Sequence, residues 1–279
     1  MKMRYLIITP TRNEVNNLPY TIRSIVGQTI RPLIWVIVND GSSDGTAALI
    51  DAAAREHEWI RPVHRKDRGF RKPGGGVVEA FYEGYTVVQD QPWDFIVKLD
   101  ADLSFCADYF ERCLRYFAKE PKLGIGGGMV SLEVDGRLKS ESPGDPPFHV
   151  RGPTKIYRRK CWEAIGGLFP APGWDSIDEL KANMLGYTTR TFRDVQLCHR
   201  RVTGNADGTW KNIVKFGLCN YITGYHPLFM LAKCMKRLFQ RPYIIGSVGL
   251  FWGYCKGFLQ KVAQVDDPEL IHYVRQQQL

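Results

Sequence analysis

Along the first hundred residues, short unbroken apolar runs alternate with segments whose apolar residues recur at helical spacing. The runs are Tyr5 to Thr9, Leu33 to Val38 and Phe95 to Leu99. Their length and apolar continuity predict strands buried on both faces. Between the first two, Leu18, Ile22, Ile25 and Val26 fall on one helical face behind Asn16-Asn17, which offers an N-cap. A second helix is predicted from Thr46 through Ala47, Leu49, Ile50 and Ala53. A short strand follows at Ile60 to His64, and a third helix at Val77 to Val88. Strand–helix–strand units of roughly 30 residues predict a parallel, doubly wound α/β sheet with helices on both faces.

The rhythm changes from about Gly124. Gly126-Gly127-Gly128 and Pro143-Gly144-Asp145-Pro146-Pro147 separate shorter elements. Asp175 to Leu185 predicts a helix ended by Gly186, and Thr188 to Cys198 an extended segment. Farther on, Lys233, Lys236, Arg237, Arg241, Lys256 and Lys261 lie among Leu, Phe, Tyr and Trp. The expected division is a first domain over 1–225, with halves 1–105 and 106–225, and a helical C-terminal segment over 226–279. One or two amphipathic helices there would suit an anionic bilayer surface. Packing against the rest of the chain or a second subunit is the alternative.

Composition narrows the classes. The chain has 279 residues, 44% of them hydrophobic, enough for one large domain with a buried core and an appended piece. A formal net charge of +9 favours an anionic partner: nucleotide phosphate, nucleic acid or membrane. Seven cysteines, an odd number without a C-x-x-C pair, suggest free thiols in a reduced, cytoplasmic protein and no zinc site. The apolar run after Met1 is too short for a signal peptide and reads as a first strand. No stretch reaches 18 uninterrupted apolar residues; the nearest, Tyr243 to Leu259, contains Lys256 and four glycines.

Ligands of open α/β sheets bind beyond the carboxyl ends of the strands. Three unusual loops fall there: Pro10 to Glu14, Asn39 to Thr46, and Asp100 to Phe105. In Asp100-Ala101-Asp102 both carboxylates point the same way if the extended backbone persists. Such a pair can hold a divalent cation, which could neutralise nucleotide phosphates. Asp40 could accept hydrogen bonds from a base or ribose, or serve only a turn with an N-cap. Arg65, Lys66, Arg68, Arg71 and Lys72 precede a glycine run and a helix, an arrangement that attracts phosphate. No Gly-Lys-Ser/Thr follows, and the glycine spacing is not that of dinucleotide-binding folds.

Together these loops resemble the family-2 glycosyltransferases of the GT-A fold. The resembling residues are Thr9-Pro10-Thr11-Arg12-Asn13-Glu14, Val38 to Thr46, and Lys98-Leu99-Asp100-Ala101-Asp102, with a looser match to about Arg201. The resemblance implies a single Rossmann-like, mostly parallel central sheet and an inverting transfer from a nucleotide-diphosphate sugar to a hydroxyl. It implies that Pro10, Thr11, Asn13 and Glu14 line the nucleotide pocket and that Asp40 contacts the base. Asp100, with Ala101 beside it, would face the ribose, and Asp102 would bind the metal-diphosphate. Asn39 stands where the family often has Asp. Arg68, Arg71 and Lys72 would offset diphosphate charge. Counting back from Gly186-Tyr187, Asp175 fits the family's base, and Asp178 lies one turn further, where it could share that face. The family more often has Glu-Asp where this chain has Trp174-Asp175. His199 would complete the metal site, and Arg200 and Arg201 are candidates to meet the diphosphate.

The implied cofactor is a divalent cation, Mn or Mg. The implied partners are a UDP- or GDP-type donor and a glycan or lipid-linked acceptor, in cell-surface glycan or polysaccharide synthesis. An anionic membrane surface is a further expected partner, with the protein peripheral on the inner face of the cell membrane, and nucleic acid is not. Two competitors remain. A sugar nucleotidyltransferase should carry a glycine-rich basic loop after the first strand, which Thr9 to Glu14 lacks. A nucleic-acid-binding protein should cluster cations with aromatic platforms on one face.

Overall fold

The computed structural model describes residues 3–69, 75–201 and 208–279. The first half follows the predicted alternation: β1 (Tyr5–Thr11), α1 (Leu18–Val26), β2 (Ile34–Asp40), α2 (Thr46–Glu56), β3 (Ile60–Arg65), α3 (Gly75–Thr86) and β4 (Phe95–Leu99). Next come β5 (Leu103–Phe105), α4 (Tyr109–Lys119), β6 (Leu123–Val134), β7 (Arg137–Ser140), β8 (Thr154–Arg158), α5 (Arg159–Ile165), α6 (Trp174–Met184) and β9 (Thr188–His199). Four helices end the chain: α7 (Thr209–Ile222), α8 (Pro227–Arg237), α9 (Tyr243–Leu259) and α10 (Pro268–Gln278).

The described strands form one sheet in the order β3-β2-β1-β4-β8-β6-β9-β5, with β7 paired to β6. The first four strands are parallel; β1, β2 and β4 are buried apolar runs, while β3 is a more exposed edge strand. Beyond β4 the sheet is mixed: β8 runs antiparallel to β4 and β6, β9 parallel to β6, and β5 antiparallel to β9.

Side-chain alternation sorts the strands onto two cores. Ile7, Ile37 and Val97 pack with α1, α2 and α4 on one face. Leu6, Ile8, Val36, Val38 and Ile96 pack with α3 and α5 on the other. A third core lies among the C-terminal helices and reaches Ile177 of α6. There α7 and α9 touch backbone to backbone: a Cβ on Gly253 would stand 1.9 Å from the carbonyl oxygen of Val214, and one on Gly217 2.1 Å from that of Leu250. The glycines of α9 thus serve helix contact. Three helices follow residue 226, where one or two were expected, and among the described residues none is long and apolar enough to cross a membrane.

Candidate active site

The three loops converge at the carboxyl edge of β1, β2 and β4, and side-chain hydrogen bonds tie them together. Asn13, held at a positive φ of 54°, accepts from the Ser43 amide at 2.9 Å and donates its own amide to Ser42 Oγ at 3.0 Å. The Glu14 amide donates to Thr46 Oγ1 at 2.9 Å. Thr21 of α1 donates to the carbonyls of Ala101 and Leu103 and accepts from the Leu103 amide, which pins the Asp100–Asp102 turn.

A cavity of about 1100 Å³ opens at this edge. Its walls include Pro10, Thr11, Asn13, Glu14, Asp40, Arg68, Asp100, Ala101, Asp102, Asp175 and His199. Arg71 and Lys72 lie outside the described residues. Arg200 turns away and stacks 3.6 Å over the ring of Tyr20.

Asp40 is held by two arginines: Arg65 at 2.6 Å, and Arg68, which also reaches Glu79 at 2.6 Å. Arg12 donates to the Asp40 carbonyl at 2.6 Å. This clamp fixes the Asp40 carboxylate at the cavity wall.

Asp100 and Asp102 both line the cavity but have different neighbours. Asp100 pairs with buried Lys98, whose ammonium also donates to the Gly152 carbonyl at 2.8 Å. Burial pushes the Asp100 carboxyl up, against the pull of Lys98. Asp102 is buried, and its Oδ2 lies 3.3 Å from His199 Nε2 and 3.1 Å from Arg201. Burial alone would raise the Asp102 carboxyl, but His199 and Arg201 hold it below the usual carboxylate range. Its Oδ1 is buried with no hydrogen-bond partner among the described residues. Register explains why His199 is there: Leu103 of β5 pairs with His199 of β9, and the Arg200 amide donates to the Asp102 carbonyl at 2.9 Å.

Two residues complete this corner: Glu141, which the sequence left unassigned, and Arg201, expected to meet the diphosphate. Glu141 Oε2 stands 3.1 Å from Nδ1 of His199, the second-ring-nitrogen contact that orients a ligating histidine. Arg201 bridges Asp102 and buried Glu14, the latter at 2.5 Å. Burial would lower His199, but its hydrogen bonds to Asp102 and Glu141 push it up to about 9. No local motif marks Glu141; it arrives through the fold.

The expectation that Asp178 shares the cavity-facing side of its helix is not met. Asp178 is buried, lies 2.8 and 3.0 Å from Lys155, and accepts from the Tyr157 hydroxyl at 2.5 Å. Burial pushes it up to about 6. It anchors α6 to β8 and touches no open space, because one turn along the helix rotates it past the cavity toward the sheet. Asp175 is the residue that faces the cavity, half-buried, and no described residue hydrogen-bonds its carboxylate. Behind it, buried Glu179 binds Lys155 at 2.8 Å, the Val150 amide at 2.6 Å and His149 at 2.9 Å. Lys98 and Lys155 lie 5.2 and 5.6 Å from the ring of Trp174.

Residues 6–170 match the sequence family described as Glycosyl transferase family 2. The chain belongs to that family. This family-2 glycosyltransferase is 30% identical over 196 residues to the undecaprenyl-phosphate mannosyltransferase of Micrococcus luteus, a match covering 70% of each chain. It is 31% identical over 131 residues to the polyprenol monophosphomannose synthase of Mycolicibacterium smegmatis, covering 46% of each. Among solved structures, a mannosyltransferase from Pyrobaculum calidifontis, in complex with GDP-Man and Mn2+, superposes with a TM-score of 0.59 at 19% identity. That superposition covers 98% of this chain and 73% of the other and shares the GT-A fold.

The donor set of the family-2 enzyme fits a divalent cation. Asp102 presents a buried oxygen without a partner, and His199 Nε2 stands 3.3 Å from the other carboxylate oxygen, close to the spacing of neighbouring ligands around a cation with bonds of about 2.1 Å. The described residues hold no cluster of three or more ligating side chains. Two protein ligands suit an ion completed by substrate phosphates and water.

Proposed function

We propose that this glycosyltransferase moves a sugar, with inversion, from a nucleoside-diphosphate donor to a lipid-linked acceptor in glycan synthesis, with GDP-mannose the first donor to try. The names of the two bacterial relatives and the GDP-Man complex of the archaeal structure support the donor and acceptor classes. The observation that carries the reading is the unpartnered buried oxygen of Asp102 in the same cavity as the unpaired carboxylate of Asp175.

The donor half binds and orients. Pro10, Thr11 and Asn13 form one wall for the nucleotide, Asp40 accepts from the base, and Asp100 accepts from the ribose. Asp102 and His199 would hold a divalent cation, which when bound supplies charge neutralisation at the leaving diphosphate. Arg68 and Arg201 add positive charge nearby. Asp175, in the first turn of α6, takes the proton of the attacking acceptor group. Trp174 and Lys98 exclude water beneath the donor. The apolar outer sides of α8 and α9, including Ile244, Ile245 and Trp252, support peripheral contact with a bilayer, which would bring lipid-borne acceptors to the cavity.

The test is transfer from a panel of nucleotide sugars to a polyisoprenyl-phosphate acceptor, with Mn, Mg or chelator. Turnover of one sugar, stimulated by the cation and lost in Asp102→Ala, is the expected result. Full activity of Asp102→Ala would sink the cation site.

A further inference from the structure

Three cations line the end of the cavity made by the C-terminal helices: Lys215 on α7, and Lys233 and Arg237 one turn apart on α8. None has a carboxylate partner among the described residues. Among the described residues Lys233 reaches only the Asn220 side-chain oxygen at 3.4 Å and the ring of Tyr225, 5.0 Å away. Burial and the neighbouring Arg237 push its ammonium below the ordinary lysine range. Nε of Arg237 is buried with no hydrogen-bond partner among the described residues. Two adjacent cations, one partly desolvated and one with an unanswered N–H, are costly until an anion joins them.

These cations stand at the α6 end of the cavity. Gly173, at the start of α6, packs on Cys219 of α7, where an added Cβ would lie 3.2 Å from the cysteine Cβ. Burial, with Asp175 adding to it, pushes the Cys219 thiol up to about 12. Asn220, the partner of Lys233, is the next residue. The cation pair is therefore joined through α7 to the start of α6, where Asp175 sits, rather than to the loops of β1, β2 and β4. Just outside, α8 exposes Leu228, Leu231 and Met235, and α9 exposes Ile244, Ile245 and Val248. An anionic socket beside an exposed apolar surface is complementary to an amphiphile with a charged head.

We propose that Lys233 and Arg237 bind the phosphate of a lipid-borne acceptor, whose hydrocarbon chain lies along the exposed apolar sides of α8 and α9. This deepens the reading of the enzyme as a transferase acting on lipid-linked acceptors and rests on it. Lys215 lines the same cavity. The site selects a lipid phosphate over the corresponding alcohol, because only the phosphate satisfies both cations.

Binding is tested without nucleotide sugar, so the outcome does not depend on turnover. The full chain is sedimented with phosphatidylcholine vesicles containing either a polyisoprenyl phosphate or the matching polyisoprenol. The expected result is binding about tenfold tighter to the phosphate vesicles. That preference should vanish in Lys233→Gln/Arg237→Gln and return in Lys233→Arg/Arg237→Lys, which keeps both charges. Equal binding to the two vesicles, or a preference unchanged in the Gln variant, would overturn the proposal. So would inorganic phosphate binding as tightly as the doped vesicle, since the apolar sides of α8 and α9 would then contribute nothing. A chain that shows the phosphate preference yet transfers no sugar would refute the transferase reading of the acceptor while leaving the socket in place.

Discussion

His199 Nε2 lies 3.3 Å from Oδ2 of Asp102, and the two residues meet because β5 and β9 pair in register at the sheet edge. Asp102→Ala should therefore remain folded and lose transfer by about a hundredfold or more, the scale of removing one preorganised electrostatic group. His199→Ala should do the same with a weaker response to added Mn. Initial rates against cation concentration decide; cation-independent wild-type activity would contradict the site.

Asp175 and Asp178 should separate cleanly. Asp175→Asn is expected to fold normally and lose about 10²–10⁴ in kcat, the usual contribution of a general base. Asp178→Leu should instead be destabilised by about 3–5 kcal/mol, because it leaves Lys155 short of a buried partner. Urea unfolding and steady-state kinetics on both variants distinguish the roles.

His149 supplies a pH dependence of stability. Burial would lower its pKa, but the hydrogen bond and charge of Glu179 raise it above the ordinary value of 6.5. A histidine raised on folding stabilises fully below the unfolded value and loses that contribution as pH climbs through the folded one. His149→Gln should thus melt lower than wild type at mildly acidic pH, with the gap in Tm narrowing above pH 6.5. A gap that is constant with pH would show that the Glu179 contact is not titrating.

Gly253→Ala should destabilise the chain by about 1–3 kcal/mol, since the new methyl would meet the Val214 backbone at 1.9 Å and force α7 from α9. Gly144→Ala, with nothing within 4 Å, is the control. Thermal unfolding of the pair is sufficient, and equal midpoints would refute the close helix contact.

Much of the donor half was legible because it is local. β1, β2 and β4 are buried on both faces, so their apolar runs are unbroken, and the loops that follow them carry the short polar residues that turns and ligands both need. The fold then fixed what spacing could not. Asp178 read as a partner of Asp175 because the two are a helical turn apart, yet the pitch of α6 against the sheet sends one to the cavity and the other to Lys155. Glu141 carried no signal, and the contacts of Glu179 and Arg201 were hidden, since the partners His199, His149 and Glu14 lie on remote segments.

The sequence by itself determined the alternation of strands and helices, the three loops at one sheet edge and the acidic pair at Asp100 and Asp102. These follow from periodicity and turn chemistry, which act over a few neighbouring residues. Only the tertiary structure decided which carboxylate faces the cavity, that Glu141 backs His199, and that Lys233 and Arg237 share a pocket with Asp175. Those relations depend on strand register and helix packing between distant parts of the chain, and no local pattern encodes a distance across the fold.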